Sequence, residues 1–262
     1  MPRSNRPGSR AIDLPGIVTS APAGIVCRAG QPRGQGQSRV VRISHKHRFV
    51  FFAFPKTGSE SIREALNPIS DVAGEHEANI LKRPEEERPG LIPNHISPRD
   101  LRTFFRERGW PFEDYYRFMF VRNPWSRLVS LYEMIRHRDE RFDAPFDRWL
   151  LNSRPDRWGG GEGEDAPLWC RYGTYSVDAY ASDEDGQRLV DKVYRLDDMW
   201  QVPADLRRHN IPIPHETMPW INRGPRRDLS QYYTTPALRA VVATRYAKDI
   251  AEFGYAYPSR PV

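Results

Sequence analysis

Two short stretches of the chain carry the residue types that hold phosphate. The first is Phe54-Pro55-Lys56-Thr57-Gly58-Ser59-Glu60-Ser61. Gly58 permits a tight turn and a close approach of backbone to a ligand. A helix starting here would present unpaired N–H groups and the positive end of its dipole, which together attract an anion. Lys56 adds a mobile point charge, and Thr57, Ser59 and Ser61 add hydroxyl donors. The lysine precedes the glycine, so the order is not the GxxxxGK[ST] of a triphosphate loop. An ordinary polar turn between strand and helix has the same composition. The second stretch is Phe120-Val121-Arg122-Asn123-Pro124-Trp125-Ser126-Arg127-Leu128-Val129-Ser130. Arg122 at a strand end and Ser130 on the following helix, on the same face as Ser126, bracket one phosphate between them. A structural arginine beside an amphipathic helix is the bland alternative.

A proton acceptor is sought among seven histidines. His95, in Ile92-Pro93-Asn94-His95-Ile96-Ser97, lies between the two phosphate stretches just before a helix start. An imidazole accepts a proton at neutral pH, although a capping or core histidine suits the same position. His47 and His137 read as structural, and Glu64 and Glu133 as solvated positions on helices.

The elements around these residues follow from pattern. Arg48 to Phe54 and Tyr116 to Val121 are short apolar runs, typical of strands buried on both faces. Each is followed by a turn and a helix: Ser61 to Asn67 after the first, and Pro124 onward after the second, with Leu128, Leu131 and Ile135 on one side. Ser97-Pro98-Arg99-Asp100 has the cap, proline and acid of a helix start, running to about Arg108. Lys192 to Leu196 reads as a third strand, and Thr235-Pro236 opens a last helix through about Phe253 that Gly254 ends. Residues 68–93 read as loop or surface helix and 152–168 as a mobile loop. The expected fold is a three-layer α/β domain, P-loop-like, over residues 41–262, with a largely parallel sheet between helices.

Composition narrows the function classes. The chain has 262 residues, 39% of them hydrophobic, enough for a folded core. Six arginines against one acid, Asp13, give residues 1–40 nearly all of the formal +6 charge. That segment, rich in glycine and proline, is expected to be a flexible leader, and the remainder offers little attraction to nucleic acid. No apolar run reaches the roughly 20 residues of a membrane span, and Ala11 to Val26 is a poor signal core. Cys27 and Cys170 are too few and too far apart for a disulfide scaffold or a cysteine zinc site, so a reducing, cytoplasmic setting is expected. Trp125, Trp149, Trp158, Trp169 and Trp200 read as packing, Asp183-Glu184-Asp185 as a loop, and Arg207-Arg208 and Arg226-Arg227 as surface charge.

Taken as a pair, PKTGSxS after one strand and RNPWSRLVS after another resemble the sulfotransferase superfamily, above all its carbohydrate-type branch. The likeness spans about residues 47–255, including Tyr246-Ala247-Lys248-Asp249-Ile250 through Tyr255. It implies 3′-phosphoadenosine-5′-phosphosulfate (PAPS) as donor and no metal. Lys56, Thr57, Gly58, Ser59 and Ser61 would then hold the 5′-phosphosulfate, with Lys56 also serving catalysis, and Arg122 with Ser130 would hold the 3′-phosphate. His95 stands where such proteins often carry their base, and the acceptor is a carbohydrate or other small molecule. The family usually has threonine at the position of Glu60. A carboxylate there either turns toward an arginine such as Arg63 or weakens donor binding. Arg223-Gly224 resembles a late basic loop only weakly. The acceptor pocket is expected from segments near 68–95, 141–175 and 200–230. Rival readings are a P-loop kinase or NTPase, a nucleic-acid binder using the arginine-rich leader, and a domain that binds nucleotide without turnover.

Overall fold

The computed structural model describes residues 41–75, 80, 83–139, 142–155, 168–219 and 228–259. The leader, His76, Trp158, Arg223-Gly224, Arg226-Arg227 and most of the 152–168 loop lie outside them.

Strand β2 (Phe49–Phe52) shows why the sheet is central. All four of its side chains are fully buried, each stabilising the fold by roughly 1.5–3 kcal/mol. Successive residues point to opposite faces. Val50 and Phe52 join one core, with Leu101 and Phe105 of α2 (Pro98–Glu107) and Val177 and Tyr180 of α6 (Val177–Ala181). Phe49 and Phe51 join another, with Ile62 and Ala65 of α1 (Ser59–Leu66) and Val202 and Leu206 of α7 (Val202–Arg208). Strand β4 (Tyr116–Val121) divides in the same way, Met119 and Val121 to the first core and Phe118 and Phe120 to the second. The sheet is therefore a filling between two helical layers.

Its order is β3-β1-β2-β4-β5, with β1 at Arg42–Ser44, β3 at Val72–Ala73 and β5 at Lys192–Arg195. β2, β4 and β5 run parallel, while β1 pairs antiparallel with both β2 and β3. A third core lies beyond the sheet. It joins Leu128, Leu131 and Ile135 of α3 (Pro124–Arg138) to Phe146 and Trp149 of α4 (Phe146–Asn152) and Val242 of α8 (Pro236–Arg245).

Several expectations needed correction. β2 ends at Phe52, which leaves the carbonyls of Ala53 and Phe54 outside the ladder and free to take side-chain donors. The segment 68–93 contributes β3 and two 3₁₀ turns, Asn67–Ile69 and Glu85–Gly90. The final helix is two, α8 and α9 (Ala247–Phe253), broken at Tyr246 (φ −112°, ψ 28°). Buried Tyr246 donates its hydroxyl to the Thr174 carbonyl, a tertiary contact that outweighs helix propensity there. Trp125, Trp149 and Trp169 are packed as expected, but Trp200 is 70% exposed, because Met199 and Val202 supply the buried side of its segment. Cys170 is buried on α5 (Leu168–Arg171) and forms no disulfide among the described residues.

Candidate active site

The lysine stretch leaves the carboxyl end of β2 as a tight bend. Lys56 and Gly58 both adopt the left-handed backbone conformation, at φ 67° and 77°. Glycine does so freely, while a lysine there costs about 1–2 kcal/mol. A Cβ on Gly58 would stand 2.7 Å from Leu196 Cδ1, so the bend also uses the missing side chain. Thr57 is buried and its hydroxyl donates to the Phe54 carbonyl at 2.7 Å. That proton holds the turn together, so Thr57 offers a ligand its backbone N–H instead of its hydroxyl proton. α1 begins at Ser59 without a side-chain cap. The N–H of Ser61 turns back to the Gly58 carbonyl at 3.1 Å and its side chain is buried. The N–H groups of Thr57, Gly58 and Ser59 make no hydrogen bond among the described residues. Three successive free donors at a helix start form an anion cradle.

The arginine stretch leaves the carboxyl end of β4, the parallel neighbour of β2 in the register Phe52↔Met119. Arg122 Nε donates to Ser126 Oγ at 3.1 Å, and that hydroxyl donates to the Asn123 carbonyl at 3.1 Å. Asn123 caps α3 by accepting the Trp125 N–H at 3.2 Å. Ser126, Ser130 and Met134 follow at four-residue spacing and share one helix face. Ser130 is half-buried and its hydroxyl makes no hydrogen bond among the described residues. Lys56 Nζ reaches Met134 Sδ at 3.2 Å, one helical turn, about 6 Å, beyond Ser130. The two stretches thus meet over a single face of α3.

His95 is tied to the same rim. Its Nδ1 lies 2.7 Å from the carbonyl of Ala53, directly after β2. A carbonyl only accepts, so Nδ1 carries the hydrogen and the neutral ring keeps its lone pair on Nε2. The helix that follows is capped as its sequence predicts, Ser97 Oγ accepting the Asp100 N–H at 3.2 Å. Glu133 pairs with Arg136 at 3.0 Å and Glu64 is exposed. Glu60 sits in the first turn of α1 within electrostatic reach of Arg138, whose guanidinium stands 5.1 Å over the Trp169 ring. Burial lowers the Arg138 pKa and the charge of Glu60 opposes that.

Three supports escaped sequence reasoning. Arg127 is fully buried, bonds the carbonyls of Gly173 (3.0 Å) and Tyr175 (2.6 Å), and lies 4.5 Å over the ring of Phe54, so one side chain props both strand ends from behind. Burial pulls its pKa down, while Tyr246 and Asp249 push the other way. Asp249, also buried, accepts the Val177 N–H on both oxygens at 3.1 Å. Arg195, at the end of β5 opposite Val121, places a third cation on the rim, 3.5 Å from Asp198 and 5.0 Å over the Tyr255 ring. An arginine closing a strand is a readable signal. The Arg127–Asp249 relation has none, because its partners meet only in the fold.

Among the described residues, no helix is long and apolar enough to cross a membrane, and no group of three or more His, Cys, Asp or Glu could hold a metal ion. No curated protein and no solved structure matches the chain. A family model described as "Sulfotransferase family" matches residues 39–256, a span that takes in all five strands and both stretches. The chain belongs to the sulfotransferase family, whose chemistry is the transfer of a sulfuryl group.

Proposed function

We propose that the protein transfers the sulfuryl group of PAPS to a hydroxyl, or an amine, of a carbohydrate or small-molecule acceptor. The observation that carries this reading is the pairing of two unlike anion grips on adjacent parallel strands. The free N–H groups of Thr57, Gly58 and Ser59 with Lys56 form one, and Arg122 with Ser130 forms the other. A nucleotide with phosphate at both its 3′ and 5′ positions fits such a pair. The unbonded N–H groups suit close approach of a phosphosulfate to the backbone.

The donor supplies the activated sulfuryl group. The chain's own residues position it and manage charge, which supplies most of the catalysis in related phosphoryl transfers. The backbone cradle holds the 5′ end, and Lys56 places its ammonium where negative charge gathers on the bridging oxygen. Arg122 and Ser130 hold the 3′-phosphate and set the register of the nucleotide. His95 takes the acceptor's proton at Nε2, its ring orientation fixed by the Ala53 carbonyl. Glu60, within electrostatic reach of Arg138, is left out of the grip.

Titration calorimetry with adenosine 3′,5′-bisphosphate and with AMP tests the pairing. The bisphosphate is expected to bind at least about tenfold tighter, the worth of one charge-assisted contact. Equal affinities would sink the second grip.

A further inference from the structure

A cavity of about 680 Å³ opens between the start of α2, the segment 172–180 and the turn at 182–188. That volume is typical of a small-molecule site. Most of its wall lies outside the segments from which an acceptor pocket is expected. Its wall reaches the segment that carries His95. Ser97 lines it, and Tyr180, in its wall, donates to the Ile96 carbonyl at 3.0 Å and stacks on Phe54 at 4.7 Å. The wall is therefore continuous with the His95 segment and with the residue that leads into the lysine bend.

Its charges largely cancel. Arg188 pairs with Asp178 and Glu252, Lys248 lies 3.5 Å from Asp178, Arg99 lies 3.2 Å from Glu184, and Asp183 takes Arg102 at 3.1 Å. Three cationic and four acidic side chains line the space, so it does not gather anions as the strand-end rim does. What is left over is one carboxylate oxygen and one guanidinium N–H beside aromatic surface. Asp100 Oδ2 accepts from Ser97 (2.7 Å) and Tyr172 (3.2 Å), while its Oδ1 takes no hydrogen bond among the described residues. Arg99 Nε is buried and too poorly aligned with Glu184 to donate to it. The rings of Tyr172 and Tyr175 are half-buried, 5.1 Å apart. Burial, then the charge of Asp100, pushes the Tyr172 pKa up to about 12, so its hydroxyl remains a donor.

A sugar ring answers each of these features. Its hydroxyls both donate and accept, and its C–H face packs on aromatic rings. We infer that this cavity is a subsite for a neutral sugar ring, holding a part of the acceptor that does not react, on a wall continuous with the His95 segment. The acceptor role rests on the sulfuryl transfer proposed above, whereas sugar binding in the cavity does not.

The test uses the full chain without nucleotide and three neutral probes, maltotriose, cellotriose and chitotriose, followed by saturation-transfer NMR. At least one is expected to bind. Asp100→Asn and Tyr172→Ala should each weaken it at least about tenfold, the loss that accompanies a charged hydrogen bond or a stacked ring. Intermolecular NOEs from sugar protons to labelled tyrosine rings give a second readout on the unsubstituted protein, should either variant fail to fold. Binding by none of the three, binding that survives both substitutions in folded protein, or a bound sugar without tyrosine contacts overturns the assignment. Sugar binding together with equal affinity for the bisphosphate and AMP keeps the cavity as a sugar site and removes the donor reading.

Discussion

The ends of β2 and β4 occupy equivalent places on neighbouring parallel strands, yet they are built in opposite ways. After β2 the backbone is strained and open, with Lys56 and Gly58 left-handed, α1 uncapped and three N–H groups unbonded. After β4 the backbone is tied down at more points, although the N–H groups of Asn123 and Ser126 make no hydrogen bond among the described residues. Asn123 caps the Trp125 N–H and donates to the Ala256 carbonyl at 2.7 Å, the Arg127 N–H returns to the Asn123 carbonyl at 2.9 Å, and Tyr255 donates to the Val121 carbonyl at 3.2 Å. One bend offers a ligand three successive N–H groups, and the other chiefly the side chains of Arg122 and Ser130. Side-chain substitutions should therefore separate the two: at the β4 end they remove binding, and at the β2 end they remove chemistry and spare binding.

The largest effect is expected at Lys56. Lys56→Ala should lower sulfuryl-transfer turnover by about 10²–10³, the usual cost of deleting one charge-stabilising group. Affinity for adenosine 3′,5′-bisphosphate should fall by less than about tenfold, because the free N–H groups remain. Turnover with labelled donor, set beside calorimetry, checks both. A variant that transfers within tenfold of the parent would break the contrast at its stronger end.

Next comes the prop behind α3. Burial raises the Asp249 carboxyl from 3.8 to about 6, with Arg127 pulling it back. The folded chain thus holds this proton more tightly than the unfolded chain. The associated stability is present below about pH 4 and is lost as pH rises through about 6. That difference in proton affinity corresponds to about 3 kcal/mol. Asp71, Asp183, Asp205 and Asp228 are shifted downward and act in the opposite sense, so only a difference between chains isolates Asp249. Asp249→Asn keeps an acceptor for the Val177 N–H and should gain stability relative to the parent between pH 4 and 7, as measured by urea unfolding across that range. Parallel pH profiles would remove Asp249 from the account of how α3 is held.

Arg122 follows. Arg122→Ala should erase most of the preference for the bisphosphate over AMP, about 10–100-fold from one charge-assisted pair, and leave AMP affinity nearly unchanged. A preference that persists would place the 3′-phosphate elsewhere, with Arg195 on the same rim as the next residue to examine.

Much of this site was legible because it is local. β4 has the bounds its apolar run predicts, Pro124 opens α3, and the Ser97 cap and the left-handed Gly254 fall where expected. A buried parallel strand and a proline-started helix each advertise themselves within a few residues. β1 and β3 have only three and two residues and exist through pairing with each other and with β2. The break at Tyr246 depends on Thr174, and Arg127 depends on carbonyls 46 and 48 residues away. Such features are decided by tertiary contact, which no window of sequence contains. The cavity beside α2 belongs with them, since its wall joins segments from residues 97 to 248.

The smallest effect is the sharpest probe of the comparison. Ser59 opens α1, is half-buried, and its hydroxyl makes no hydrogen bond among the described residues. If the β2 end binds through its main chain, Ser59→Ala should change bisphosphate affinity by less than about threefold, since the N–H survives and alanine suits a helix at least as well as serine. Ser130→Ala, on the face of α3, removes a hydroxyl from a bend that offers a ligand chiefly side chains, and should cost more, about five- to tenfold. Calorimetry on the two variants side by side compares a spare hydroxyl with a needed one. A loss at Ser59 equal to or larger than that at Ser130 would mean that both bends grip with side chains, and the division of labour between the two strand ends would be gone.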